Sequence, residues 1–194
     1  MSDTQAPVLK MGVREYLESL VSIIRSPAGF FENNTGEPGS RRALIFLMIS
    51  GLFYCSVSMT YFFENSLLMG VVMMVNAVFM PALGACFSYC IMRMMTASMV
   101  SYSSVFNVYA YSSGAVMVIS WIPGLAVVME PVRALLVGVG LYKTGKLGRF
   151  QAFMTVALTA VLLLLFFWTL APLVVALRDS CGHWAVHFSV TAYC

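Results

Sequence analysis

The chain has 194 residues, 60% hydrophobic and 10% charged, with a mean hydropathy of +0.87. A soluble domain carries about 25% charged residues to cover its surface, so a water-soluble globule is excluded, as are an acidic disordered tail and a collagen-like repeat. The net charge of +3 is small and its cations are dispersed, which excludes a nucleic-acid footprint and leaves an all-α polytopic membrane bundle.

Residues 1–42 form a cytoplasmic leader, in which Lys10, Arg14, Arg25, Arg41 and Arg42 alternate with Asp3, Glu15, Glu18, Glu32 and Glu37. No apolar h-region is left uninterrupted, so the segment is expected to stay in the mature chain. From about 12 to 26, Val13, Tyr16, Leu17, Leu20, Val21 and Ile24 recur at steps of three and four, opposite Arg14, Glu15, Glu18 and Arg25. That spacing predicts an amphipathic helix lying at the membrane interface. Pro27 disfavours helical backbone at the residue before it and ends the helix at Ser26. The residues from Asn33 to Gly39 are turn chemistry and predict a loop.

A bilayer core about 30 Å thick takes about 20 apolar residues in a helix. Residues 43–177 supply five such runs: 43–63, 66–92, 105–122, 124–142 and 153–177. The third is the least apolar, and a four-span alternative leaves it as a surface element. Cytoplasmic segments hold the Lys and Arg excess. With five crossings the leader, Arg93, Lys143, Lys146 and Arg149 share one side, and Arg178 stands alone on the other. The N-terminus is then cytoplasmic and the C-terminus outside.

Ionisable groups inside spans are costly and mark a pathway, a partner or a bundle contact. Glu130 and Arg133 stand one turn apart on the fourth run, where each neutralises the other, and Pro131 between them predicts a kink. Two readings follow: a structural ion pair, or the wall of a solute or ion path. Pro81 and Pro172 predict kinks in the second and fifth runs. On the third run Asn107, Tyr111 and Gly114, with Ser112 and Ser113, form a face suited to helix–helix hydrogen bonding and close approach. Gly51, Cys55 and Ser58, and Asn76, Ala77, Gly84 and Ser88, form similar stripes on the first two runs. Cys55, Cys86 and Cys90 read as packing residues. Residues Val161 to Phe167 are continuously bulky and suit lipid or a partner protein.

The outer tail, 178–194, contains Cys181, His183, His187 and Cys194. A disulfide between Cys181 and Cys194 suits an oxidising compartment, free thiols are the next reading, and a four-ligand zinc site is the third. No Asp lies in any run and both His residues lie in the tail, so nucleophile–base and metal-hydrolase signatures are missing. The residues therefore read as a non-enzyme without a cofactor or a resident metal.

The leader's Ser26-Pro27-Ala28-Gly29-Phe30-Phe31 precedes the five runs. Asn107-Val108-Tyr109-Ala110-Tyr111-Ser112 enters the third, and Trp121-Ile122-Pro123-Gly124 leaves it. From about Tyr16 to Phe150 this pattern resembles the Yip1 family, in its compact bacterial form. Eukaryotic members are Golgi and endoplasmic reticulum proteins linked to vesicle traffic, and their Asp-Leu-Tyr-Gly-Pro motif has no counterpart here. Gly114 also departs from the pattern, since bacterial relatives often carry Pro there. The resemblance implies five helices in a bacterial inner (plasma) membrane and no catalytic residues. The leading functional reading, which the resemblance does not itself supply, is a non-enzymatic scaffold that organises lipid, a membrane-protein partner or further copies of the chain. The alternative is a small transporter or channel using Glu130 and Arg133.

Overall fold

The computed structural model describes residues 12–34, 40–62, 67–95, 100–122, 124–145 and 147–191, with side-chain surroundings given in these ranges except at 61, 62, 67, 126, 171 and 173–191. Among them are seven helices and no strand: α1 (Val13–Arg25), α2 (Pro27–Asn34), α3 (Arg41–Phe62), α4 (Leu67–Met95), α5 (Tyr102–Ser120), α6 (Leu125–Gly145) and α7 (Arg149–Thr191). Three of them, α3, α4 and α7, contain stretches long and apolar enough to cross a membrane.

Helix α1 stops where Pro27 requires it. Ser26 leaves helical backbone while its N–H still reaches the Ser22 carbonyl at 2.9 Å. The helix that follows takes in Asn33 and Asn34 of the expected loop, whose remaining residues, 35–39, lie outside the described ones. Pro27 opens α2, a second helix, and the Phe30 N–H bonds to the Ser26 carbonyl at 3.0 Å. Proline at a first helical position loses no hydrogen bond and brings a helical φ. The Ser-Pro pair thus ends one helix and starts the next, and Phe30 and Phe31 on α2 are buried. Phe30 meets Tyr111 of α5 edge-on at 5.0 Å.

The apolar positions of α1 divide between two surroundings. Ile23 is buried, and Tyr16 and Leu20 pack against the core, whereas Val13, Leu17, Val21 and Ile24 are exposed. The Tyr16 and Ser50 hydroxyls lie 3.0 Å apart and tie α1 to α3. The core is therefore continuous across the expected boundary between leader and bundle.

Helix α5 is the centre of the molecule, packed by α3, α4 and α6 and touched by α1. Every residue from Val108 to Val116 is buried, so the third run lies among the other helices. Its modest hydropathy has a physical reason: a helix enclosed by protein needs small and hydrogen-bonding residues for close packing, whereas one facing lipid needs only bulk. The helix also starts earlier than its apolar run, because Ser101 caps it by accepting the Ser104 N–H at 3.3 Å.

At the turn into α6, Gly124 has φ 86°, a left-handed conformation that a side chain would strain. Pro81, Pro131 and Pro172 all lie within helices, α4, α6 and α7 respectively. Helix α7 packs on α4 and α6 and continues past the expected start of the tail at 178. Cys194 and the side chains of Cys181, His183 and His187 lie outside what is described, so the disulfide and zinc readings find no structural account. Cys55 is buried, but Cys86 and Cys90 face outward from α4 rather than packing inside.

Candidate functional site

Two polar regions occupy opposite ends of the central helix. At the end where α5 passes into α6, a cavity of about 210 Å³ opens between α3, α4, α5 and α6. Its polar lining comes from Tyr54 of α3, Asn76 of α4, Ser113 and Ser120 of α5, and Glu130 and Arg133 of α6. Met73, Met80 and Met117 line the remainder with deformable apolar surface.

Helical spacing places Glu130 and Arg133 on adjoining turns, and Arg133 Nη1 donates to Glu130 Oε1 at 3.3 Å. The carboxylate stands at the mouth and the guanidinium deeper, with side-chain exposures of 62% and 31%. The long contact and the open carboxylate make this a weakly engaged pair rather than a buried lock. Facing it, Ser113 is 1% exposed and its Oγ has no hydrogen-bond partner. Ser120 instead donates to the Val116 carbonyl at 2.9 Å. The cavity thus joins one cation, one anion, an amide, a phenol and an unpartnered hydroxyl, with no net charge.

At the other end Asn107, Tyr111, Phe31, Asn34, Ser104 and Thr144 enclose only about 20 Å³, about the space of one water. The Asn107 Oδ1 is buried there without a protein partner. Tyr111 lies 5.2 Å from the Phe46 ring as well as against Phe30, and serves the core. Nearby, Lys143 Nζ of α6 donates to Glu32 Oε2 of α2 at 2.8 Å. The hydrogen bond and positive charge of Lys143 hold the Glu32 carboxyl below its ordinary range. The same contact holds Lys143 above its own, against desolvation and the like charge of Arg149.

A third polar group lies wholly inside. The Ser88 hydroxyl of α4 is 2.5 Å from that of Tyr109 of α5 and 2.8 Å from that of Thr159 of α7. Thr159 donates onward to the Thr155 carbonyl at 2.7 Å. Three helices are thereby joined by hydroxyls alone.

Of the polar positions singled out in the sequence, Asn76, Ser113, Glu130 and Arg133 share the large cavity, while Asn107 and Tyr111 do not reach it. Tyr54, Ser120, Tyr109 and Thr159 were not singled out. Only Thr155 and Thr159, one turn apart in an apolar run, carried a readable signal. In comparisons with known proteins, no family model, curated relative or solved structure matches the chain.

Proposed function

We propose that the chain is an integral membrane protein of Yip1 type with five spans, α3 to α7, that acts without catalysis as a scaffold for lipid or membrane-protein partners. The observation that carries this is the outer surface of α7. Leu164 and Trp168 are 72% and 81% exposed, and Phe153, Val161 and Leu165 stand out beside them. An apolar face this continuous has no place in water and suits acyl chains or another helix. Among the described residues helix α7 packs on α4 and α6, and the face bearing these side chains is open. The exposed stripe of α1 suits the headgroup boundary in the same way, with Arg14 and Glu18 paired at 2.8 Å on its polar side. The cytoplasmic N-terminus, the outer C-terminus and the inner (plasma) membrane location rest on the distribution of Lys and Arg and on the Yip1 resemblance. The non-catalytic reading rests on the absence of enzymatic motifs from the sequence.

Co-purification from native membranes in mild detergent tests this role. A stoichiometric partner or a homo-oligomer that is lost from Leu164→Asn/Trp168→Asn supports it. A monomer that carries no protein or lipid through purification contradicts it.

A second reading, passage of a small solute or ion, is favoured by the cavity at Glu130 and Arg133, which a scaffold does not need. Proteoliposome flux that falls with Glu130→Gln supports it, and flux absent or unaltered contradicts it.

A further inference from the structure

We propose that the cavity between α3, α4, α5 and α6 binds a small zwitterion, an anionic oxyacid group on Arg133 and a primary ammonium on Glu130. The inference rests on the bilayer placement proposed above for this part of the bundle. It goes beyond both functional readings by naming the ligand.

Arg133 and Glu130 hold each other through one contact, Nη1 to Oε1. A guanidinium has five N–H donors and a carboxylate a second oxygen, so each partner keeps an edge for a further charged group. Which group it can be is decided by charge. In a low-dielectric surrounding, an anion alone on Arg133 leaves the Glu130 charge uncompensated, and a cation alone on Glu130 does the reverse. A zwitterion adds one charge of each sign. The four charges then alternate and the site stays neutral.

The rest of the lining fits such a ligand. At 210 Å³ the cavity is many times the space of one water, about 10–15 Å³, so it admits a polyatomic solute rather than a bare ion. Ser113 of α5 also lines it, with a buried Oγ that has no hydrogen-bond partner. Met73, Met80 and Met117 supply apolar surface for the carbon linker between the two charges.

Order along the helix narrows the chemistry further. Glu130 lies nearer the start of α6 than Arg133, by about 4.5 Å of helical rise, and is the more exposed of the two. The ammonium is therefore held toward the surface and the anion deeper, whichever way the bundle faces. An ethanolamine phospholipid headgroup has its amine and phosphate in that order. Free glycerophosphoethanolamine shares the chemistry.

The test uses the full chain in phosphatidylcholine nanodiscs, titrated by calorimetry with glycerophosphoethanolamine, whose phosphodiester carries a single negative charge. Saturable binding is expected, at least tenfold tighter than that of glycerophosphocholine, which has no ammonium hydrogen, or of glycerol phosphate, which has no cation. Glu130→Gln and Arg133→Gln should each weaken it at least tenfold, and Arg93→Gln on α4 should not. Native mass spectrometry with phosphatidylethanolamine added assigns the source. Retention of that lipid over phosphatidylcholine marks a headgroup site, and binding of the soluble probe alone marks a free solute. Absence of saturable binding by both probes, or glycerol phosphate binding equally well, overturns the proposal, as do both α6 variants binding like wild type with unchanged circular dichroism. The ligand ranking on the wild-type chain does not depend on any variant folding. Sidedness and partner capture can stand while this fails, so the two failures are distinguishable.

Discussion

A Cβ built on Gly114 would lie 2.8 Å from Cε1 of Phe46 and 3.2 Å from Oγ of Ser50, closer than packed atoms normally approach. Both neighbours are fully buried, so neither has free space to move into. Gly114→Ala should therefore lower stability by about 1–3 kcal/mol, the usual cost of overpacking a filled core, seen as a lower thermal midpoint in detergent. Ser88→Ala removes the hydroxyl joining Tyr109 and Thr159. Thr159 keeps its bond to the Thr155 carbonyl, so the loss should be nearer 1 kcal/mol. A thermal midpoint unchanged in both variants would contradict this account of the packing. The face bearing Asn107, Tyr111 and Gly114 was legible because side chains three and four apart share one side of a helix. The cavity was not legible. Tyr54, Asn76, Ser113 and Glu130 belong to four helices, and which helices adjoin, and at what rotation, is set by packing that no local spacing encodes.

Element boundaries separate what local chemistry decides from what tertiary contact decides. The end of α1 was readable because Pro27 acts on the residue before it. Helix α2 was missed because Asn33-Asn34 and the glycines beyond suggest a turn, whereas burial of Phe30 and Phe31 supports the helix. The third run read as weak because hydropathy measures affinity for lipid, and α5 is surrounded by protein. Helix α2 also carries a pH dependence, through the pair of Glu32 with Lys143. A lowered carboxyl stabilises the docked helix above its ordinary range and loses that contribution as pH falls through the lowered value. A raised ammonium contributes below the ordinary lysine range and loses it as pH rises through the raised value. Docking of α2 should hold from the ordinary carboxylate range, about pH 4, to the ordinary lysine range, about pH 10.5, and loosen only below the first and above the second. Amide exchange over residues 27–34, corrected for intrinsic rates, should show that window in wild type and lose its acid limb in Glu32→Gln. An identical acid limb in the variant would assign the effect elsewhere.

The whole molecule is organised around one enclosed helix, with apolar surface increasing outward from α5 to α7. Three helices have the length and composition to cross a bilayer by themselves, and the five-span reading requires α5, whose polar groups are enclosed by its neighbours, and α6 to cross as well. That is the central claim, and sidedness tests it most directly. Reporters fused after Asn65, Ser101, Gly124, Gly148 and Cys194 should alternate between outside and inside, beginning and ending outside. Reporters after Ser101 and Gly124 on the same side of the membrane would contradict it, since α5 would then not cross.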